Sequence, residues 1–490
     1  MRSKPTVAVL GCGAGGIAMG VRLKRDGYDF TIYEKADGVG GTWRHNRYPG
    51  AACDVPSHLY SFSFEINPWW NSTYATQPEI LAYLERVTDR YGVRPHVRTQ
   101  TAIVTARWDE PTHLWELISD AGETFTADVV VSGLGMFNEP SVPAIAGAER
   151  FRGRSFHSSR WDHTKSLEGE RVASIGTGAS AIQYVPAIAS QVEHLSVFQR
   201  TPIWITPRIE APYTSDQQRR FARVPLAARW HRLKIWLGYE RARFEADSAS
   251  TVMLTDLARS YLARKIEDPD LRKKLTPDYP AGCKRPLTSR TWYPTLTRPN
   301  VRLVTEPITE IVESGLRTAD GEVHEVDTIV YGTGFKANEY LTMIDVVGKG
   351  GRRLQEDWVD GAHAYLGLSM AGYPNFFMLY GPNTNGVTSV MFMHEAQVHY
   401  VMGALRAMTR LGIRSVDVRP RAMDRYNQRL QAAMVGKVWL AGCNTYYQAS
   451  SGKIVTQLPY SGGRYWLRTR VFPLWHYRLR RSPSRRSGRR

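Results

Sequence analysis

Two glycine-rich turns, opening at Gly11 and Gly176, constrain this 490-residue chain more than any other feature in it. Residues 6–10, TVAVL, are apolar without alternation, the pattern of a short parallel strand buried on both faces. GCGAGG follows and sets Gly11, Gly13 and Gly16 in a GxGxxG spacing. The segment IAMGVRLKRDG then reads as a helix, and a second strand, FTIYEK, ends in Glu34. This is the order of a dinucleotide-binding βαβ unit. Gly11 permits the tight turn, Gly13 lets a pyrophosphate approach the backbone, and Gly16 lets helix and strand pack closely. The helix N-terminus offers N–H groups to phosphate, and Glu34 would accept hydrogen bonds from a ribose diol.

The second unit, RVASIGTGASA, sets Gly176, Gly178 and Ala181 in GxGxxA after another strand. Its next strand, LSVFQRT, ends in Arg200 and Thr201 where the first unit has an acid. A carboxylate repels a ribose 2′-phosphate and a guanidinium pairs with it, so this unit should prefer NADPH to NADH. Two dinucleotide sites in one chain imply electron transfer between two carriers, and FAD is the candidate for the first. The expected fold is α/β: two Rossmann-like domains, one for FAD and one for NADPH.

The remaining composition sets bounds. A chain of this length holds two or three domains. The net charge of +18 comes partly from the end, where RLRRSPSRRSGRR holds seven arginines and should be disordered from 478 onward. Such a balance allows binding to nucleic acid, a membrane surface or an anionic cofactor, and a nucleic-acid or membrane-surface binder is a further alternative; aromatic residues interleaved with basic ones are not evident outside a helical segment, so no specific nucleic acid is expected. Cys12, Cys53, Cys283 and Cys443 are scattered, without a CxxC pair or a His/Cys cluster. That argues against disulfides, a dithiol redox centre and a metal site, and for a reduced, cytoplasmic setting. No apolar run is long enough to span a membrane.

Between the fingerprints lies FRGRSFHSSRWD, residues 151–162, which fits FxGxxxHxxxW(P/D) through Phe151, Gly153, His157, Trp161 and Asp162. In that position the string resembles the type I Baeyer–Villiger monooxygenases, a family of FAD- and NADPH-dependent flavoproteins. GGTWRHNRYPGAACDVPS (40–57), FQRTP (198–202), GCKRPL (282–287), GTGF (332–335), YLGLSMAGYPNFF (365–377) and VWLAGCNTYY (438–447) are similar to family segments as well. The resemblance covers most of the chain and is weakest in 209–277 and after about 455.

The resemblance implies insertion of one oxygen atom from dioxygen beside a ketone carbonyl, giving an ester or lactone through a flavin C(4a)-peroxide. It implies Arg285 and Asp54 as catalytic residues. Gly41, Thr42, Trp43, Asp54 and Tyr60 would join Gly11, Gly13, Gly16 and Glu34 around FAD. Lys284 and Trp439 would join Gly176, Gly178, Ala181, Arg200 and Thr201 around NADPH. His157 and Trp161 would act at a hinge between domains, and no metal is implied. Domains follow as 1–140 (FAD, first part), 141–150 (linker), 151–336 (NADPH, with a helical insertion at about 209–277) and 337–477 (FAD, second part). The Trp/Leu/Ile stripe of the insertion reads as core or interdomain packing rather than a membrane helix. Pro286, directly after Arg285, departs from the family pattern. Oxygenation of sulfur or nitrogen, or an NADPH oxidase or reductase on the same scaffold, are the alternatives. The expected partners are a small ketone and dioxygen, and the chain a monomer or homodimer.

Overall fold

The computed structural model describes residues 4–241, 244–386, 388–443 and 445–481. Its frame is two five-stranded parallel sheets. In the first, β1 (Val7–Leu10) leads through a glycine turn into α1 (Ala14–Arg25) and β2 (Phe30–Tyr33). β3 (Val97–Arg98) extends the sheet beyond β2, and β4 (Val129–Ser132) flanks β1 on the other side. Val9 pairs with Ile32 and Val131. Val7 and Val9 pack into one apolar cluster and Ala8 and Leu10 into another, which is why β1 shows no polar alternation. The outermost strand, Phe376–Met378, joins β4 from beyond the second sheet in sequence. The first sheet is therefore built from both ends of the chain.

The second sheet holds β5 (Arg154–His157), β6 (Arg171–Ile175), β7 (His194–Phe198), β8 (Val301–Val304) and β9 (Thr328–Tyr331), in the order β8-β7-β6-β9-β5. α2 (Ala181–Ile188) follows β6 as α1 follows β1. This is an α/β architecture of two dinucleotide-binding folds.

The insertion is helical: α3 (Ser215–Arg223), α4 (Pro225–Glu240) and α5 (Ala249–Lys265). Although it interrupts the second half, α4 packs on the first. Ile235, Trp236 and Tyr239 lie against the first sheet's core, and Arg232 pairs with Glu395 at 3.5 Å. Glu395 belongs to α6 (Val390–Leu411), the long helix against α1. The expected packing role thus holds for one face of α4 only. On the opposite face Leu226, Trp230, Leu233 and Leu237 are exposed.

The tail departs from expectation too. Tyr477–Arg481 is a strand antiparallel to Ile413–Val418, not a disordered segment beginning at 478. Tyr477 is buried and Leu479 half-buried, while Arg478 and Arg480 face out. This period-two pattern lets an arginine-rich segment hold a sheet edge. Residues 482–490 lie outside the described residues. No helix among the described residues is long and apolar enough to cross a membrane.

Candidate active site

Both glycine turns open onto one cavity of about 1670 Å³ between the two sheets. Gly11 has φ +89°, and a methyl group on Gly16 would overlap the Gly11 carbonyl oxygen. Only glycine at both positions lets α1 start this close to β1. Neither Gly13 ahead of α1 nor Ser180 ahead of α2 caps its helix with a side chain. At α2 the Ile182 and Gln183 N–H groups already donate to the Gly178 and Ser180 carbonyls, as Ile17 N–H does to Gly13 O at α1, so a ligand in the cavity would meet the turn N–H groups just ahead of these donors. At Gly178 no atom lies within 4 Å of where a Cβ would be, so a phosphate can reach that backbone.

The two strand ends differ. Glu34 is buried, and its carboxylate accepts from Cys12 N–H at 2.7 Å and Ala36 N–H at 2.8 Å. The acid organises the first turn with its own backbone while still lining the cavity. Arg200 is exposed at the cavity wall, with Thr201 and Lys284 beside it. Burial, and then the charge of Arg200, push the Lys284 pKa down. Two cations are thus gathered at this wall, and Asp278 offsets only part of the shift.

Gly41, Thr42, Trp43, Asp54 and Tyr60 line the first half of the cavity, where Trp43 Nε1–H donates to the Tyr60 hydroxyl at 2.9 Å. Three buried atoms on the wall, Thr388 Oγ1, His394 Nδ1 and Gln457 Oε1, have no partner among the described residues. Unsatisfied buried polar atoms are rare, and these three belong to residues that line the cavity. The cavity fits two dinucleotides end to end in chemistry: two helix N-termini, an acid at one strand end and bases at the other.

Where the halves meet, Arg285 Nη2–H donates to Asp54 Oδ1 at 2.8 Å and lies 2.7 Å from Oδ2. About a third of each side chain remains accessible, 38% and 33%, and both residues line the cavity. Asp54 raises the arginine's pKa further, so the guanidinium stays charged.

Residues 8–224 match a family described as pyridine nucleotide-disulphide oxidoreductase. A Baeyer-Villiger monooxygenase of Pseudomonas aeruginosa is 43% identical over 97% of this chain and 92% of its own length. One from Streptomyces coelicolor is 44% identical with the same coverage of both chains. The chain belongs to the Baeyer–Villiger monooxygenases. The closed form of cyclohexanone monooxygenase superposes with a TM-score of 0.88 at 29% identity, over 98% of this chain and all of that one. An oxidised steroid monooxygenase bound to NADP gives 0.86 at 30%, with the same coverage.

In this Baeyer–Villiger monooxygenase His157 lies at the end of β5, 5% exposed, with Nδ1 2.8 Å from the Ser159 hydroxyl and its ring edge-on to Phe335. Burial lowers its pKa to about 4, so the ring is neutral near pH 7. Both chain crossings between the sheets pass beside it: Ser141 N–H donates to Gly334 O at 2.9 Å, and Pro140 bridges to Phe335. Trp161 packs on Phe156 and Tyr184 in the second half's core.

One sequence expectation is overturned. Cys283 and Cys443 form a disulfide, with Cα atoms 6.1 Å apart and a sequence separation of 160. Spacing rules detect local cysteine frameworks, and this pair is local only in space. The bridge ties the Lys284–Arg285 loop to the loop after Trp439, which is buried against Phe244. The cysteine argument for a reduced compartment falls with it. Cys12 and Cys53 are free and buried.

Sequence reasoning also missed a group of aromatic residues. Tyr239, Tyr380, Tyr446 and Tyr447 line the cavity, the last three near enough to Arg285 to influence its charge. The Arg285 charge works against the upward push of burial on the Tyr446 pKa, and Tyr447 stacks edge-on to Tyr446 with ring centres 4.7 Å apart. Glu395 and Gln397 on α6 serve packing. Glu395 accepts from the Ser63 N–H and hydroxyl, and Gln397 joins Tyr380 N–H to the Tyr465 hydroxyl. Among the described residues no cluster of three or more His, Cys, Asp or Glu could hold a metal.

Proposed function

We propose that the protein binds FAD at the α1 turn and NADPH at the α2 turn and converts a lipophilic ketone to an ester or lactone. The observation that carries this reading is the Asp54–Arg285 pair, set where two uncapped helix N-termini face one cavity. When bound, NADPH supplies the hydride and FAD the transfer of an oxygen atom from dioxygen.

The chain's own residues then have separable tasks. Arg200, Thr201 and Lys284 hold the 2′-phosphate. The N–H groups at the start of each helix hold pyrophosphate. Asp54 fixes the guanidinium of Arg285, which stabilises the oxyanion that forms as the ketone carbonyl is attacked. Tyr446 and Tyr447 shed water from that point and orient the ketone by contact with its apolar part. His157, neutral and wedged beside both crossings, positions one half against the other as the nicotinamide end moves. The cytoplasm, where NADPH is regenerated, is the setting this reading assigns.

The test is a panel of cyclic, aryl and long-chain ketones under ¹⁸O₂, scored by mass spectrometry for ester. One labelled oxygen per ester supports the reading. Sulfoxide or N-oxide formation with no ester from any ketone would move the protein to the heteroatom oxygenases.

A further inference from the structure

We infer that the outer face of α4 docks the enzyme on an anionic lipid surface. α4 has two apolar faces. Ala228, Ile235, Trp236 and Tyr239 turn inward, while Leu226, Trp230, Leu233 and Leu237 recur at helical spacing on the opposite side. Leu226 is 72% exposed and Trp230 56%. The inner face is already engaged: Arg232 meets Glu395, and Glu240 accepts from Gly463 N–H at 2.9 Å. Nothing in the packing of α4 therefore accounts for a second apolar stripe.

The surroundings of the stripe select its occupant. Arg229 and Lys234 flank it on either side of the helix, and Arg220 and Arg223 precede it on α3; all four are exposed. Among the described residues none of the four has a carboxylate within 4.0 Å, and Lys234 Nζ lies 5.5 Å from the centre of the Trp230 ring. A protein partner would have to bury these cations against matched acids. A bilayer accepts leucines and a tryptophan at its boundary while long basic side chains extend to phosphate headgroups. The insertion also supplies Tyr239, Met253 and Leu257 to the cavity wall. Docking through α4 would put the access route of a lipophilic substrate, as assigned in the proposed function, beside the phase that dissolves it.

The test is co-sedimentation of the full-length, flavin-loaded protein with phosphatidylcholine vesicles, with and without about 30% phosphatidylglycerol, at about 150 mM NaCl to screen non-specific attraction. Binding to the anionic vesicles is expected, with a loss of about tenfold in a Leu226→Ser/Trp230→Ser/Leu233→Ser variant of unchanged flavin content. Trp230→Ala alone, a milder change, should weaken partitioning about threefold. Arg220→Gln/Arg223→Gln/Arg229→Gln/Lys234→Gln should abolish the preference for anionic lipid. Three results would overturn the inference. The wild type stays in solution with both vesicles; the serine variant binds as well as the wild type, which would assign binding to the arginine-rich tail; or the stripe supports a concentration-dependent dimer in sedimentation velocity that the serine variant loses. Because the readout is lipid binding, failure here leaves the ketone assay untouched, and the reverse holds too.

Discussion

The two glycine turns share a plan and differ in how far each is closed. At the first, α1 starts so near β1 that Gly16 admits no side chain, and the buried Glu34 spends both oxygens on the turn's own N–H groups. At the second, Ala181 stands where the third glycine would be, Gly178 faces open space and Arg200 is exposed. A closed, self-braced turn suits a ligand that stays. An open, cationic wall suits one that arrives and leaves each cycle. On the proposed assignment, the same βαβ unit serves a resident cofactor and an exchanging one, separated by side-chain volume and charge.

The harshest way to break this contrast is Gly16→Ala. The added methyl meets a backbone carbonyl that cannot move without dragging β1. Purified variant should carry almost no flavin, read as the ratio of 450 to 280 nm absorbance. A residue of similar size already occupies the matching position, Ala181, of the second turn, so the two sites should differ sharply in what they tolerate.

Next in size is Arg200→Glu. Placing an acid at the second strand end should raise KM for NADPH about a hundredfold, close to 2.7 kcal/mol, and narrow the preference over NADH. Flavin content should not change. If flavin is lost as well, the two turns are not independent.

A smaller effect sharpens the comparison. The Cys283–Cys443 bridge lies on the exchanging side, between the Lys284–Arg285 loop and the Trp439 loop. Cys283→Ser/Cys443→Ser should lower stability by about 2–4 kcal/mol, as removal of a long-range cross-link does. KM for NADPH should rise only about threefold, since no phosphate ligand is removed. Denaturant titration followed by flavin fluorescence checks the first, and steady-state kinetics the second.

How much of this could be read from the chain follows from what spacing can carry. Both fingerprints, Glu34 and Arg200 were legible because a turn, a helix start and a strand end occupy fixed offsets. Asp54 and Arg285, 231 residues apart, entered only through resemblance, and the fold brings them within 2.8 Å. Tyr446 and Tyr447 lay inside a quoted segment, yet two tyrosines in a loop have no period to mark them. The cysteine pair misled for the same reason. α4 was legible as an apolar helix, but its low amphipathicity concealed that one stripe is buried and the opposite one bare. The arginine-rich end read as disorder because composition outweighed the two-residue alternation that lets 477–481 pair with 413–418.

The central claim is that the Asp54–Arg285 pair serves oxygen insertion and not flavin reduction. The most direct measurement is the ratio of ester formed to NADPH consumed, with free hydrogen peroxide assayed in the same reaction. The account predicts a ratio near one for the wild type with a good ketone. For Arg285→Ala it predicts continued NADPH consumption, peroxide release and a ratio near zero. An Arg285→Ala enzyme that still makes one ester per NADPH would contradict it.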